Sequence, residues 1–380
     1  MPFTADHEAL RASIRTFVEA ELRPHVDSWE EAGIFPRSVF ERMGDLGLFG
    51  LRYPAEYGGQ GGDYLCSIVL AEEMARAGSG GLGMAVSVQT EMATPPIFKF
   101  GTEEQKQRWL VPAIAGRAIV SLGISEPDAG SDVAGIRTRA EKVDGGWRVN
   151  GTKTWITSGT RCDVLVLVAR TGAQEAGAGA ITLFLVDSKT PGFKVERAIR
   201  KMGMHASDTA TLSFTDMFLP DDTVLGEVDK GFQHLMWQLQ GERLIGAAGG
   251  IAGARACFDY TLEYARQRQL FGRPLVGFQV SRHKLVDMLT DITITQRFVH
   301  DVADRWGAGE YCVTDISMAK LRAAQVCCRV ADDCVQMLGG AGYSEDTPVS
   351  RHFRDSRLIR IGGGADEVMK EIIAKTALGL

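Results

Sequence analysis

Apolar residues recur at two different periods along this chain, and the switch between them divides it. Near the N-terminus Leu10, Ile14, Phe17 and Val18 fall on one helical face, and Ile68, Leu70, Ala71, Met74 and Ala75 begin another. The stretch RYPAEYGGQGGD between them is rich in glycine and aromatic turn residues and predicts a loop. A further helix is expected from Thr102 to Leu110, with Thr102 as N-cap and Glu103 and Glu104 in the first turn. The period changes near Ile119. DVLVLVAR, AITLFLVD, GFKVERA and TATLSFTDMFL are short β-rich runs separated by Gly, Pro and polar clusters. Within GWRVNGTKTWITSG, the pair Asn150–Gly151 predicts a tight hairpin. With no helices between the runs, an antiparallel sandwich or barrel is expected, not a Rossmann domain.

After Gly231 the helical period returns. Phe232, Leu235, Met236 and Leu239 form one stripe; Leu285, Leu289, Ile292, Val299, Val302 and Trp306 a second; Ile316, Ala319, Ala323, Val326, Val330 and Cys334 a third. Long helices with short connections predict a four-helix-type bundle. Its small-residue run GAAGGIAGA, from Gly246, offers a face for close helix packing. The expected architecture is multidomain α+β: a helical domain over 1–118, a middle β domain over 119–228 and a helical bundle over 229–380.

Composition removes several functional classes. A chain of 380 residues exceeds one hydrophobic core. With 45% hydrophobic and 24% charged residues it is a folded, not a disordered, chain. Forty-two basic against 48 acidic side chains leave a net charge of -6 and no overall basic field for nucleic acid or an anionic membrane. No apolar run approaches the ~20 residues that span a bilayer. The N-terminal stretch reads as an amphipathic helix instead of a signal or transit peptide, so a cytoplasmic location is expected. Seven cysteines without a CxxC pair, including adjacent Cys327 and Cys328, read as reduced, mostly buried thiols.

Familiar catalytic motifs are missing. There is no GxxxxGK[ST] loop, HExxH helix or GxSxG elbow, and the histidines lack metal-ligand spacing, so no metal is expected. SRHK, from Ser281 to Lys284, fits SxxK but falls inside an amphipathic helix without companion motifs. GGAGY lacks the preceding strand of a dinucleotide fingerprint.

Two segments carry the chemistry. In GISEPDAGSD, Gly123 to Asp132, the hydroxyls of Ser125 and Ser131 alternate with carboxylates and small residues that let backbone amides face a ligand. Alone, it could equally be a surface turn. QMLGGAGYSEDTPVSRHFRD, Gln336 to Asp355, is a helix end, a glycine-rich turn and a charged helix; alone it would be a C-cap and loop. Together, in this order, these segments resemble the acyl-CoA dehydrogenase family. KTWITSG, Lys153 to Gly159, and RQLFG, Arg268 to Gly272, look like two further landmarks of that family, and the helical–β–helical order extends the likeness over essentially the whole chain.

The resemblance implies a homotetramer with one FAD per subunit, α,β-dehydrogenation of an acyl-CoA thioester, and transfer of electrons to an electron-transfer flavoprotein. Carried over by position, Ser125, Ser131, Trp155 and Thr157 would hold the isoalloxazine. Arg268, Phe271, Gln279, Gln336, Gly339 and Gly340 would meet the adenine and pyrophosphate portion, and Glu367 would also contact the cofactor. Ser131, Arg243 and Gly362 would contact substrate.

The catalytic base departs from the family's commoner pattern, a Glu followed by Gly-Thr near the C-terminus. Here the segment is RIGGGADEV and the position is Gly363. The isovaleryl-CoA dehydrogenase-like subgroup places its base earlier, and the similar segment WQLQGERLIG puts Glu242 there. Glu242 lies three residues after Leu239 and seven after Leu235, so it continues the apolar stripe. Burial there would raise its pKa, as suits a general base; the plainer reading is a solvated Glu paired with Arg243 or Arg268. By the same resemblance the backbone N–H of Gly363 would donate to the thioester oxygen. The bare run Gly362–Gly364 would leave room beside the β-carbon for a methyl branch, as in citronellyl-CoA dehydrogenases. A flavin oxidase or monooxygenase, a non-catalytic acyl-CoA-binding paralogue, and a carrier-protein-tethered substrate are the alternatives.

Overall fold

In the computed structural model, which describes residues 2–380, helices occupy the chain up to Ile114, strands run from Val120 to Leu225, and helices resume at Gly231. The first helix, α1 (Ala5–Phe17), starts where it should: Thr4 accepts from the His7 backbone N–H, and the His7 ring accepts from the Thr4 N–H. α2 (Tyr64–Met74) is capped by Asp63 and α3 (Gly80–Ser87) by Ser79. The helix expected at Thr102 is present. Thr102 and Gln105 close a reciprocal cap, and the chain widens into a π-type turn over Lys106–Leu110.

The middle strands are β1 (Val120–Gly123), β2 (Arg139–Val143), β3 (Gly146–Thr157), β4 (Val164–Arg170), β5 (Ile181–Asp187), β6 (Phe193–Ala198), β7 (Thr209–Pro220) and β8 (Val224–Leu225). They form one eight-stranded sheet in the order β6-β7-β3-β2-β4-β5-β8, with β1 on β4. Most pairs are antiparallel, but β1 runs parallel to β4. β4 and β5 are apolar on both faces because helices cover one side of the sheet and its own long strands the other.

Asn150–Gly151 does not make the expected hairpin. β3 continues straight through it, with a register shift against β7 between Val149 and Gly151. The Asn150 side chain pairs with Asp216 across that irregularity, and a Cβ at Gly151 would lie 2.5 Å from Thr138 Oγ1. The glycine serves a close backbone approach at a bulge. The true hairpin is one turn earlier, at Asp144–Gly145 between β2 and β3.

The C-terminal region is a bundle of α4 (Gly231–Gln267), α5 (Gln279–Gly307), α6 (Val313–Leu338) and a last helix, α8 (Asp366–Ile373), with the short α7 (Pro348–Ser356) lying against α4 and α6. The second and third predicted stripes pack together and against the later turns of α4, with Leu289 left exposed, whereas the first, Phe232 to Leu239, turns toward the sheet and the N-terminal helices. The small-residue run of α4 divides: a Cβ at Gly250 would collide with Ile359, and one at Gly253 would lie 2.9 Å from His352, whereas at Gly246 it would meet nothing within 4 Å. All four glycines of the run line a cavity, and Gly250 and Gly253 also lie close against side chains from the segment before α8.

Asp355, 5% exposed at the end of α7, binds the three regions together. It accepts from the Gly80 N–H at the start of α3, at 2.9 Å, and from the Met204 N–H in the loop before β7. Burial, with Glu30 nearby, raises its pKa to about 6. Among the described residues no helix is long and apolar enough to cross a membrane.

Candidate active site

A cavity of about 1640 Å³ lies where α4, the edge of the sheet and the turn before α8 meet. Glu242 projects into it from α4, and Gln238, one turn earlier, donates to Glu242 Oε2 at 3.2 Å. The carboxylate touches the open space but is otherwise deep in protein. Burial pushes its pKa above the ordinary carboxylate value, against the opposing pull of the Gln238 hydrogen bond and of the Arg243 and Lys320 charges. The helical stripe therefore leads to the environment the sequence suggested.

Opposite Glu242 stands the turn Gly362–Gly364. Gly363 has φ +67° and Gly364 φ +105°, both in the left-handed half of backbone space. A Cβ at Gly363 would lie 3.5 Å from Glu242 Oε1, so the carboxylate occupies the side of the cavity toward which a side chain at 363 would point. Among the described residues the Gly363 N–H finds no acceptor, while the carbonyls of the turn are held. Gly363 O accepts from Arg243 Nε at 3.2 Å, and Gly364 O from Lys320 Nζ. Arg243 lines the cavity as expected of a substrate contact, but it reaches the turn with Nε and Gln240 Oε1 with Nη1, at 3.4 Å.

The sheet supplies the facing wall. Trp155 sits in a bulge between Lys153 and Ile156 with φ +63°, and is 63% exposed. That irregularity turns the indole out of the strand and over the cavity. Thr157 follows it, its carbonyl accepting from Ser121 Oγ at 2.8 Å. Ser125 and Ser131 line the same wall, and a Cβ on Gly130 beside them would meet nothing within 4 Å. The loop is anchored from beneath. Lys153, fully buried, donates to Ile124 O at 2.8 Å and Glu126 Oε1 at 2.7 Å. Glu126 also accepts the Arg137 and Thr138 N–H groups at 2.7 and 2.9 Å, and Arg170 donates to Ala134 O and Ile136 O. Burial lowers the Lys153 pKa to about 8 even though Glu126 pulls it up.

The structure thus gathers Ser125, Ser131, Trp155, Thr157, Glu242, Arg243, Gly362 and Gly363 around one space. The remaining predicted residues do not reach it. Arg268 is the C-cap of α4, and Phe271, 95% exposed at φ +50°, tips the hairpin β9 (Gln269–Leu270) to β10 (Arg273–Pro274). Gln279 opens α5, Gln336, Gly339 and Gly340 lie exposed at the end of α6, and Glu367 is exposed on α8.

Sequence reasoning missed three wall residues. Lys320 lies four residues after Ile316 and three before Ala323, so it shares the apolar stripe of α6; a lysine on a buried face was the available signal. Glu91, among apolar neighbours, accepts from Ser67 Oγ and Arg52 Nη2, both at 2.6 Å, and burial raises its pKa. Asp355 is the third. Away from the cavity, His7, Asp63 and Cys66 bring three potential metal ligands together. The His7 Nδ1 accepts from Thr4, so Nε2 carries the proton toward Asp63, and the group is a capping network.

Three family models match in succession: the acyl-CoA dehydrogenase N-terminal domain over residues 4–117, the middle domain over 121–217 and the C-terminal domain over 229–378. The mitochondrial long-chain specific acyl-CoA dehydrogenase of Mus musculus is 38% identical over 98% of this chain and 86% of its own. The mitochondrial isovaleryl-CoA dehydrogenase of Oryza sativa subsp. japonica is 37% identical over 98% of this chain and 91% of its own. Among solved structures, a probable acyl-CoA dehydrogenase from Mycobacterium abscessus superposes with a TM-score of 0.96 at 41% identity, covering 99% of each chain.

Proposed function

Because this chain belongs to the acyl-CoA dehydrogenase family, we propose that it desaturates a β-methyl-branched acyl-CoA, with Glu242 as the base that removes the α-proton. It is a flavin-dependent oxidoreductase acting on acyl-CoA thioesters, and FAD is its cofactor. The observation that carries the finer reading is that Glu242 confronts the side-chain-free Gly363, where an added Cβ would lie 3.5 Å from Glu242 Oε1.

The residues present suit the cofactor. An outward-turned indole, two serine hydroxyls, Thr157 and the open space over Gly130 offer a flat, donor-rimmed cradle. FAD held there would supply the hydride acceptor for the β-hydrogen of the substrate. Glu242 takes the α-proton, and its raised pKa makes it a stronger base than an exposed carboxylate. The Gly363 N–H donates to the thioester oxygen and makes the α-carbon more acidic. Phe232, Met236 and Leu239 line the cavity next to the base, and apolar walls strengthen both interactions by excluding water. The bare Gly362–Gly363 backbone leaves space for the methyl branch.

In this reading Glu367, between the cavity-lining Ala365 and Val368, serves its own subunit's cofactor, whereas Arg268, Phe271, Gln279, Gln336, Gly339 and Gly340 belong to the flavin site of a neighbouring subunit in a homotetramer. Distance supports it: at 1.5 Å per residue, Arg268 is about 39 Å along α4 from Glu242, beyond the span of one extended FAD. An electron-transfer flavoprotein takes the electrons onward. Anaerobic titration with straight, α-branched and β-branched acyl-CoAs, following loss of the oxidised flavin band, tests the substrate. Fastest bleaching by β-branched thioesters is expected; preference for straight chains refutes the branch pocket.

A further inference from the structure

The turn that presents the Gly363 N–H is Gly-Gly-Gly, a sequence with no stiffness of its own. Fixing a backbone costs conformational entropy, and glycine loses the most freedom. Something outside the turn has to hold it. Two cations do so, from two different helices: Arg243 on α4 grips Gly363 O, and Lys320 on α6 grips Gly364 O.

Lys320 is the less expected of the two. It is 2% exposed, and its ammonium is bonded to a backbone carbonyl, not to a carboxylate. Asp366, at the start of α8, supports the charge from further away. One of its oxygens is taken by Arg360, at 2.7 Å, and the other is buried with no partner. Burying an ammonium against a neutral acceptor is costly, and methionine would fill the same stripe position at less cost. The cost is offset if the charge has a task at this turn.

We propose that Lys320 is a positioning residue for the reaction: its ammonium pins the Gly363–Gly364 backbone and thereby aims the Gly363 N–H at the thioester carbonyl. The inference rests on the reading of Gly363 as carbonyl donor. The charged groups facing Lys320 are Glu242 and Arg243 from α4 and Asp366 from α8, with Arg360 behind Asp366. Burial brings the Lys320 pKa down to about 8; Asp366 and Glu242 oppose that fall and Arg243 adds to it. As pH rises through that value the ammonium becomes an amine, its bond to Gly364 O weakens, and the turn loosens. Burial also raises the Glu242 pKa, but Glu242 is common to wild type and Lys320→Arg, so the comparison between those two isolates the ammonium.

The test uses the holoenzyme and 4-dimethylaminocinnamoyl-CoA, whose absorption band moves to the red as its thioester carbonyl is polarised. In the wild type a red-shifted bound band at pH 7 should fade as pH passes about 8. In Lys320→Arg it should persist, because guanidinium does not titrate there. In Lys320→Met the shift should be smaller at every pH, and flavin reduction by acyl-CoA should slow about 10-fold with little change in KM, less than the ~10²-fold loss on deleting an oxyanion donor outright. A full wild-type shift in Lys320→Met overturns the proposal, as does identical fading in wild type and Lys320→Arg. If Lys320→Met does not fold, the second comparison decides. Absence of any red shift in the wild type would instead refute the Gly363 donor itself.

Discussion

The cavity wall and the outer face of the helical bundle carry parts of the same sequence signatures, yet different constraints govern them. Around the cavity every functional atom is backed by the same chain: Trp155 by a bulge, Ser125 by the Lys153–Glu126 pair, Gly363 by Arg243 and Lys320. On the outer face Phe271 stands almost free on a turn with φ +50°, and Gln336 and Gly339 flank an exposed helix end. A single segment, Gln336 to Asp355, belongs to both, outward at its start and buried at its end. On the proposed function, the enclosed chemistry is specified by one subunit's fold, whereas the outward residues would acquire a purpose only against a second surface.

Five measurements can break or sharpen that contrast. The largest effect is expected under the wall. Lys153→Met leaves Glu126 buried without its cation, and should lower unfolding free energy by about 3 kcal/mol, the low end for a broken buried pair because Glu126 keeps two N–H donors. Urea unfolding with no loss of stability would show that the loop holds itself. Next, Glu242→Gln should retain FAD and acyl-CoA binding while flavin reduction falls by at least ~10²-fold. A wild-type rate would make Glu242 merely structural. The double change Glu242→Gly with Gly363→Glu should recover part of the rate lost in Glu242→Gly, at a backbone cost of about 1–2 kcal/mol for a side chain at positive φ.

On the outer face the pattern should invert. Arg268→Ala and Phe271→Ala should shift stability by no more than about 0.5 kcal/mol, yet weaken FAD retention about 10-fold, the worth of one good ionic or aromatic contact. Unchanged flavin affinity by equilibrium dialysis would remove the second subunit from the site. The smallest effect concerns tuning. Gln238 donates to the ionised Glu242 and lowers its pKa; without it the pKa rises. Since reaction needs the carboxylate, Gln238→Leu should move the acid limb of the rate profile to higher pH. A shift to lower pH would contradict the assigned donor.

Periodicity made the architecture readable, because burial on one side of a helix or strand writes itself into residue spacing. Glu242 was legible for the same reason, as a charge on an apolar stripe. Lys320 obeys the same rule and was passed over because a stripe defined by apolar residues skips the lysine between them. Asn150–Gly151 misled because the glycine answers a tertiary demand, the approach of Thr138, and local turn chemistry cannot show which strand lies alongside. The split between inner and outer residues was not legible from spacing, since residues adjacent in a signature can face opposite ways around a helix end; only the family resemblance pointed Arg268, Phe271 and Gln336 toward a neighbouring subunit.

Asp355 has a consequence in time. It joins to Gly80, 275 positions earlier, and to Met204, 151 positions earlier. During synthesis the first two regions are complete long before α7 leaves the ribosome; α3 can already pack on α4, but the clasp that ties its first N–H and the loop at Met204 to α7 cannot form until then. The pocket is thus finished last, and flavin uptake by nascent chains of increasing length should begin only once residue 355 has emerged. An apo-chain lacking that clasp exposes an apolar cleft during the interval when it is most vulnerable to aggregation, so the supply of flavin and the speed of the final docking step together set how much enzyme a cell recovers.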